Sequence, residues 1–158
     1  MSDEPVESVW DYPRPPRVEP SSEHVVLEHV GVVLADTTSS YRVLETSHPP
    51  TYYLPRAAFA AGVLRPASGA SWCEWKGAAS YLDLVVGDVV LPGVAWTYSA
   101  PSGGFEVIRD HVAVYPGRLD RCTVDGEVVR AQPGDFYGGW ITSRVTGPFK
   151  GAPGTSGW

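Results

Sequence analysis

The densest concentration of reactive side chains in this chain is Trp72-Cys73-Glu74-Trp75-Lys76-Gly77. A thiol and an ammonium stand three residues apart across a bend that Gly77 permits. A nearby cation favours the thiolate, which makes Cys73 a candidate nucleophile. A desolvated Lys76 is a candidate acid/base, nucleophile or anion clamp. The alternative is structural. Cys73 then packs as a small hydrophobe, and Lys76 runs its stem along the surface to water.

A second constellation is aromatic: Tyr52, Tyr53, Trp72, Trp75, Trp96 and Tyr98. Alternation along a strand puts Trp96 and Tyr98 on one face. Tyr53 ends a short apolar run just before Pro55, where a ring can overhang a cavity mouth. If these segments converge, the rings line one pocket, with phenol and indole groups as hydrogen-bond donors. With Lys76 in its wall, such a pocket suits a flat anionic or polarised ligand. A buried Lys76 then needs a partner, Glu45 or Glu74, because an unpaired buried charge is costly. Glu45 has Arg42 and Arg56 as its other candidate partners. The alternative to a pocket is an aromatic-rich core.

Other chemistries find less support. Gly-Lys-Ser/Thr and Gly-x-Ser-x-Gly are both absent, so a phosphate loop and a nucleophile elbow are not expected. Asp110 and His111 are adjacent, and adjacent residues on a strand face opposite ways. The four histidines show no metal-ligand spacing, and two cysteines cannot build a four-cysteine zinc site, so no metal and no cofactor are expected. Twelve basic against 18 acidic residues give a net charge of −6, which lacks the basic footprint of a nucleic-acid binder. No apolar run is long enough for a membrane span. The acidic start, Met1-Ser2-Asp3-Glu4-Pro5, carries no secretory signal, so the expected location is cytoplasmic, with Cys73 and Cys122 as free thiols.

The elements that must position these residues are short. Glycine and proline, 17 and 15 of 158 residues, leave little room for long helices. Runs at 25–34, 41–46, 51–54, 72–75, 78–86, 94–98, 107–115, 119–124 and 127–130 read as strands. Asp125-Gly126 is the strongest hairpin signal, because a two-residue turn needs positive φ. Residues 55–61 are the one short helix candidate, with Pro55 at its first position and Gly62 as its stop. The expected fold is all-β, with antiparallel sheets. Residues 1–22 read as a Pro-rich arm, 23–131 as the β domain and 132–158 as a Gly/Pro-rich extension. Trp10 and Tyr12 in the arm, and Trp140 and Phe149 in the extension, argue that both pack on the body.

Three segments carry a resemblance: Thr46-Ser47-His48-Pro49-Pro50-Thr51-Tyr52-Tyr53-Leu54-Pro55, Cys73-Glu74-Trp75-Lys76-Gly77-Ala78-Ala79-Ser80-Tyr81, and Ala95-Trp96-Thr97-Tyr98. With Glu45, His111-Val112-Ala113-Val114-Tyr115 and Asp125-Gly126-Glu127, they resemble the domain-of-unknown-function 427 family over about residues 24–130. The arm and tail look like its extended actinobacterial form. The resemblance implies a β-tent-like fold, with antiparallel sheets leaning over a pocket, as in the thalidomide-binding domain of cereblon. Zinc-bearing β-tents use two Cys-x-x-Cys knuckles, and this chain has neither. The expected function is small-molecule binding in an aromatic-lined pocket formed by Glu45, Tyr53, Cys73, Trp75, Lys76, Tyr81, Trp96 and Tyr98. The family is also labelled nucleotidyltransferase-like, and no Gly-Ser with paired aspartates supports that label here. Two further function classes stand beside the binding site: an enzyme using Cys73 or Lys76, with nucleotidyl or other group transfer as its chemistry, and a protein-interaction module using the arm and tail. The oligomeric state is left open.

Overall fold

The computed structural model describes residues 6–73, 77–101, 103–133, 138–151 and 154–155; the side chains of 68–77 fall outside that description. The described chain is β-dominated: antiparallel sheets that do not close into a barrel, joined by three-residue 3₁₀ turns and no α-helix.

The strands run in chain order as β1 (Glu7–Ser8), β2 (Arg17–Ser21), β3 (Val25–His29), β4 (Val32–Thr37), β5 (Ser40–Leu44), β6 (Thr51–Tyr53), β7 (Leu64–Cys73) and β8 (Gly77–Val86). They continue as β9 (Val89–Thr97), β10 (Val112–Val114), β11 (Arg121–Val124), β12 (Glu127–Val128), β13 (Arg130–Ala131), β14 (Trp140–Ile141) and β15 (Val145–Thr146). Three sheets form the body, in the orders β10-β9-β8-β7, β12-β11-β3-β4 and β2-β5-β6. Two ribbons tie the ends down: β13 with β14, antiparallel, and β1 with β15, parallel.

Local chemistry accounts for the turns. Asp125 and Gly126 have φ of 50° and 81°, the pair of positive values that a two-residue hairpin demands, and the Asp125 carboxylate caps the His24 N–H at 2.8 Å. Val30 and Gly31 turn β3 into β4 the same way, with φ of 45° and 76°. A β-branched residue resists that conformation, and here the Val30 N–H donates to Asp120 at 2.8 Å.

Two expected elements differ. Residues 55–61 form one 3₁₀ turn, Arg56–Ala58, with Pro55 in extended conformation ahead of it rather than inside it. Phe59 is drawn into the core and bridges Ala35, which stretches the chain out of helix. Of the strand expected over 107–115 only Val112–Val114 forms. Glu106–Ile108 is a 3₁₀ turn, and Asp110 sits at φ 58°, a value that interrupts any ladder. Conversely β7 begins at Leu64, eight residues before the expected start, and absorbs Ala67–Gly69 as a bulge between Pro66 and Ala70.

The main core gathers Val25, Leu27, Leu34, Leu54, Leu84, Val112 and Trp140 between the sheets. A separate cluster of rings lies on the other face of the β2-β5-β6 sheet. Period two does the sorting. Val43 enters the ring cluster, while Leu44 packs with Val9, Tyr12 and Val145 of the arm and tail. No helix of the described residues is long and apolar enough to cross a membrane.

Candidate functional site

Adjacent tyrosines of β6 face opposite ways, as a strand requires. The Tyr52 hydroxyl donates to Glu23 at 2.8 Å, and its ring lies 4.9 Å from Trp140. Tyr53 points into the ring cluster. There the Trp96 Nε1–H donates to its hydroxyl at 3.1 Å, with the two rings edge-on at 88°. Tyr98 lies 6.3 Å from Tyr53, and Tyr115 lies 4.7 Å from Trp96. The ladder brings Tyr81 of β8 directly opposite Trp96, with Ala113 of β10 opposite on the other side. Val43, Ala79, Phe105 and Ile108 fill the space around these rings.

Trp96, Tyr53 and Tyr98 are buried, whereas Tyr81 and Tyr115 are half-buried at the edge of the cluster. Burial, reinforced by a hydrogen bond with Tyr81, pushes the Tyr115 phenol above its ordinary range. Near neutral pH the Tyr115 phenol therefore stays protonated, a donor as well as an acceptor.

A polar corner adjoins the rings through the tail. Gly138 passes so close to Trp96 that a Cβ there would overlap Cη2 of the indole. Gly139 packs on Pro49 and gives its N–H to Gln132 Oε1 at 3.1 Å. Gln132 Nε2 faces His48 Nδ1 at 3.1 Å and the Lys150 carbonyl at 2.8 Å. His48 Nε2 in turn lies 3.8 Å from the Glu45 carboxylate, and Arg14 Nε lies 3.7 Å from it.

The expected pairing of Glu45 with Arg42 or Arg56 is therefore corrected: its described partners are Arg14 and His48. Arg56 is exposed on its turn. Arg42 points to the opposite face of the β5 sheet, where it is paired in register with Glu19 and bonds the carboxylates of Glu7 and Glu19. Arg144 joins this network through Glu7 and Glu23. The Arg42 side chain is 1% exposed, so the carboxylates are what make its charge tenable there.

Tyr53, Tyr81, Trp96 and Tyr98 are thus brought together, and Glu45 lies in the polar corner. Trp75 and Lys76 lie outside the described residues, as does the side chain of Cys73. The Cys73 backbone is paired with Gly77, four residues before Tyr81 on β8. Cys122 is a free, buried thiol that desolvation pushes up to about 12, so it is inert near neutral pH. Reading by residue type missed Tyr115, Gln132 and the Gly138-Gly139 pair as parts of this site. The one available signal was Gly-Gly directly before a tryptophan in an otherwise irregular tail.

Among the described residues no group of three or more His, Cys, Asp or Glu side chains is arranged to hold a metal ion. What this geometry defines is a β-sheet domain with a buried cluster of rings at the meeting of two sheets, with Gly138 packed against the Trp96 indole. The chain belongs to the family described as domain of unknown function DUF427, whose model, named NTP_transf_9, matches residues 17–125. No curated protein matches it.

Proposed function

We propose that the site around Trp96 binds a flat small molecule. The observation that carries this reading is chemical. The cluster on this sheet face is built from rings with polar tips, whereas the main core is mostly aliphatic. Trp96 is fixed by its bond to Tyr53, and Tyr81 and Tyr115 bring hydroxyls to the edge of the cluster. Rigid rings with few rotatable bonds lose little entropy on binding, and their faces stack on a planar ligand.

In this reading Tyr53, Trp75, Trp96 and Tyr98 are walls, Tyr81 contributes a hydroxyl, and Glu45, Cys73 and Lys76 are polar contacts. The described wall is uncharged, so Lys76 decides whether the preferred ligand is an anion. The test is native mass spectrometry of freshly purified protein, followed by titration with benzoate, indole and benzyltrimethylammonium, read by Trp fluorescence. Binding lost in Trp96→Phe, and benzoate binding weakened in Lys76→Ala, is the expected result. Absence of any co-purifying molecule together with no response to the three probes overturns the reading.

A further inference from the structure

Gln132 is the most fully committed polar side chain beside the ring site. It is 3% exposed, and its side-chain oxygen and amide nitrogen both have hydrogen-bond partners. The Gly139 N–H needs an acceptor, and Oε1 supplies it. That orientation turns Nε2 toward His48 Nδ1 and the Lys150 carbonyl, spending one N–H on each. The Gln132 N–H also donates to the Gly139 carbonyl at 3.1 Å. Residues 132 and 139 are thereby locked together, and Gly138, one residue before the lock, lies against the edge of the Trp96 indole.

This bonding dictates the state of His48. An Nδ1 that accepts a hydrogen bond carries no proton, so the neutral ring holds its proton on Nε2, on the side of Glu45. A second proton would go to Nδ1 and set its N–H against the Gln132 Nε2–H, donor against donor. Turning the Gln132 amide over does not help, because Oε1 would then face the Lys150 carbonyl and Nε2 would face the Gly139 N–H.

We propose that Gln132 is a positioning residue of the ring site: it sets the height of Gly138 over Trp96, and it does so only while His48 is neutral. The proposal takes its functional meaning from the small-molecule reading, since it makes the depth of the site depend on pH. The charged groups facing His48 among the described residues are Glu45 on its own turn and Arg14 of the arm beyond Glu45; Lys150 of the tail presents its backbone carbonyl to Gln132. Glu45 favours the imidazolium and Gln132 opposes it, so the pH of the change is set by the balance between them.

The test needs no ligand, which keeps it separate from the fate of the small-molecule reading. In ¹⁵N NMR of the full chain, with His48 and Trp96 assigned through His48→Gln and Trp96→Phe, His48 should carry its proton on Nε2 at pH 8. As the pH falls and His48 titrates, the Trp96 indole N–H resonance should move with the same midpoint. Glu45→Gln should move that shared midpoint to lower pH by roughly half a unit or more, the size of a water-screened Coulomb interaction at this distance. Gln132→Leu should raise the His48 midpoint and uncouple Trp96 from it. A neutral His48 protonated on Nδ1, or a Trp96 resonance unmoved through the His48 titration, overturns the proposal. Both of these are read on the unaltered protein, whatever the stability of the variants. If the midpoints coincide and no ligand is ever found, the coupling stands and the binding reading fails.

Discussion

The Trp96 indole N–H donates to the Tyr53 hydroxyl at 3.1 Å, joining the central strand β9 of one sheet to the edge strand β6 of another. Both groups are buried, so the bond fixes ring orientation where water cannot substitute for it. Tyr53→Phe should therefore leave the Trp96 N–H without its acceptor and cost about 1–3 kcal/mol. Urea denaturation would measure the loss, and a change below ~0.5 kcal/mol would show that the bond contributes little.

Gly138 is the position where backbone and ring approach most closely. Gly138→Ala should force the loop end or the Trp96 ring to move, at a cost of about 1–3 kcal/mol for an overpacked site. The Trp96 fluorescence should shift with it. A variant as stable as the parent, with an unchanged spectrum, would mean that the loop end yields freely.

The carboxylates around Arg42 set the acid response. Burial alone would raise the Glu7 carboxyl, but the Tyr12 hydroxyl and the Arg42 and Arg144 guanidinium groups hold it below its ordinary 4.5. A carboxyl lowered by folding contributes stability that is present above 4.5 and is lost as pH falls through the lower folded-state value. The melting temperature should thus drop below pH 4.5, and more steeply than in Glu7→Gln. Parallel profiles for the two proteins would remove Glu7 from the account.

Arg42→Met tests the same network from the cation's side. It removes the partner shared by Glu7 and Glu19, which keep only Arg144 and Arg17 beside them, and the loss of these charge-assisted hydrogen bonds should cost about 1–3 kcal/mol. Since Glu7 lies on β1, limited proteolysis should cut residues 6–16 faster in the variant. Equal cleavage rates would mean that the β1–β15 ribbon alone holds the arm.

The thiols give a simple discrimination. Cys122 should resist alkylation at pH 7 in the native protein, since burial holds it protonated. Native labelling at pH 6 then reports on Cys73 alone. Rapid reaction supports thiol chemistry at that position, and no reaction supports binding or packing. Denatured, unreduced protein should return two thiols.

The sequence by itself determined the class of fold and much of the ring site. Alternation of apolar residues, glycine and proline at turns, and Asp125-Gly126 act over a few residues, and local conformation follows from them. The pairing of Trp96 with Tyr98 on one face was legible for the same reason, as was the placement of Tyr53 at a strand end. The tertiary structure decided the partners. Gln132 meets His48 across 84 residues, and Arg42 meets Glu7 across 35. Nothing in the local sequence says which distant polar group a buried amide or guanidinium will find. Glu45 illustrates the limit: its charge predicted a cation beside it, but Lys76, Arg42 and Arg56 were the candidates by type, and Arg14 was not among them. Only the path of the arm, pinned to the tail through β1 and β15, brings Arg14 to it and turns Arg42 away to the other face of the sheet. A strand fixes the side of the sheet that a residue faces. The identity of its neighbour there depends on how separate sheets and chain ends pack, which is settled by the whole molecule at once.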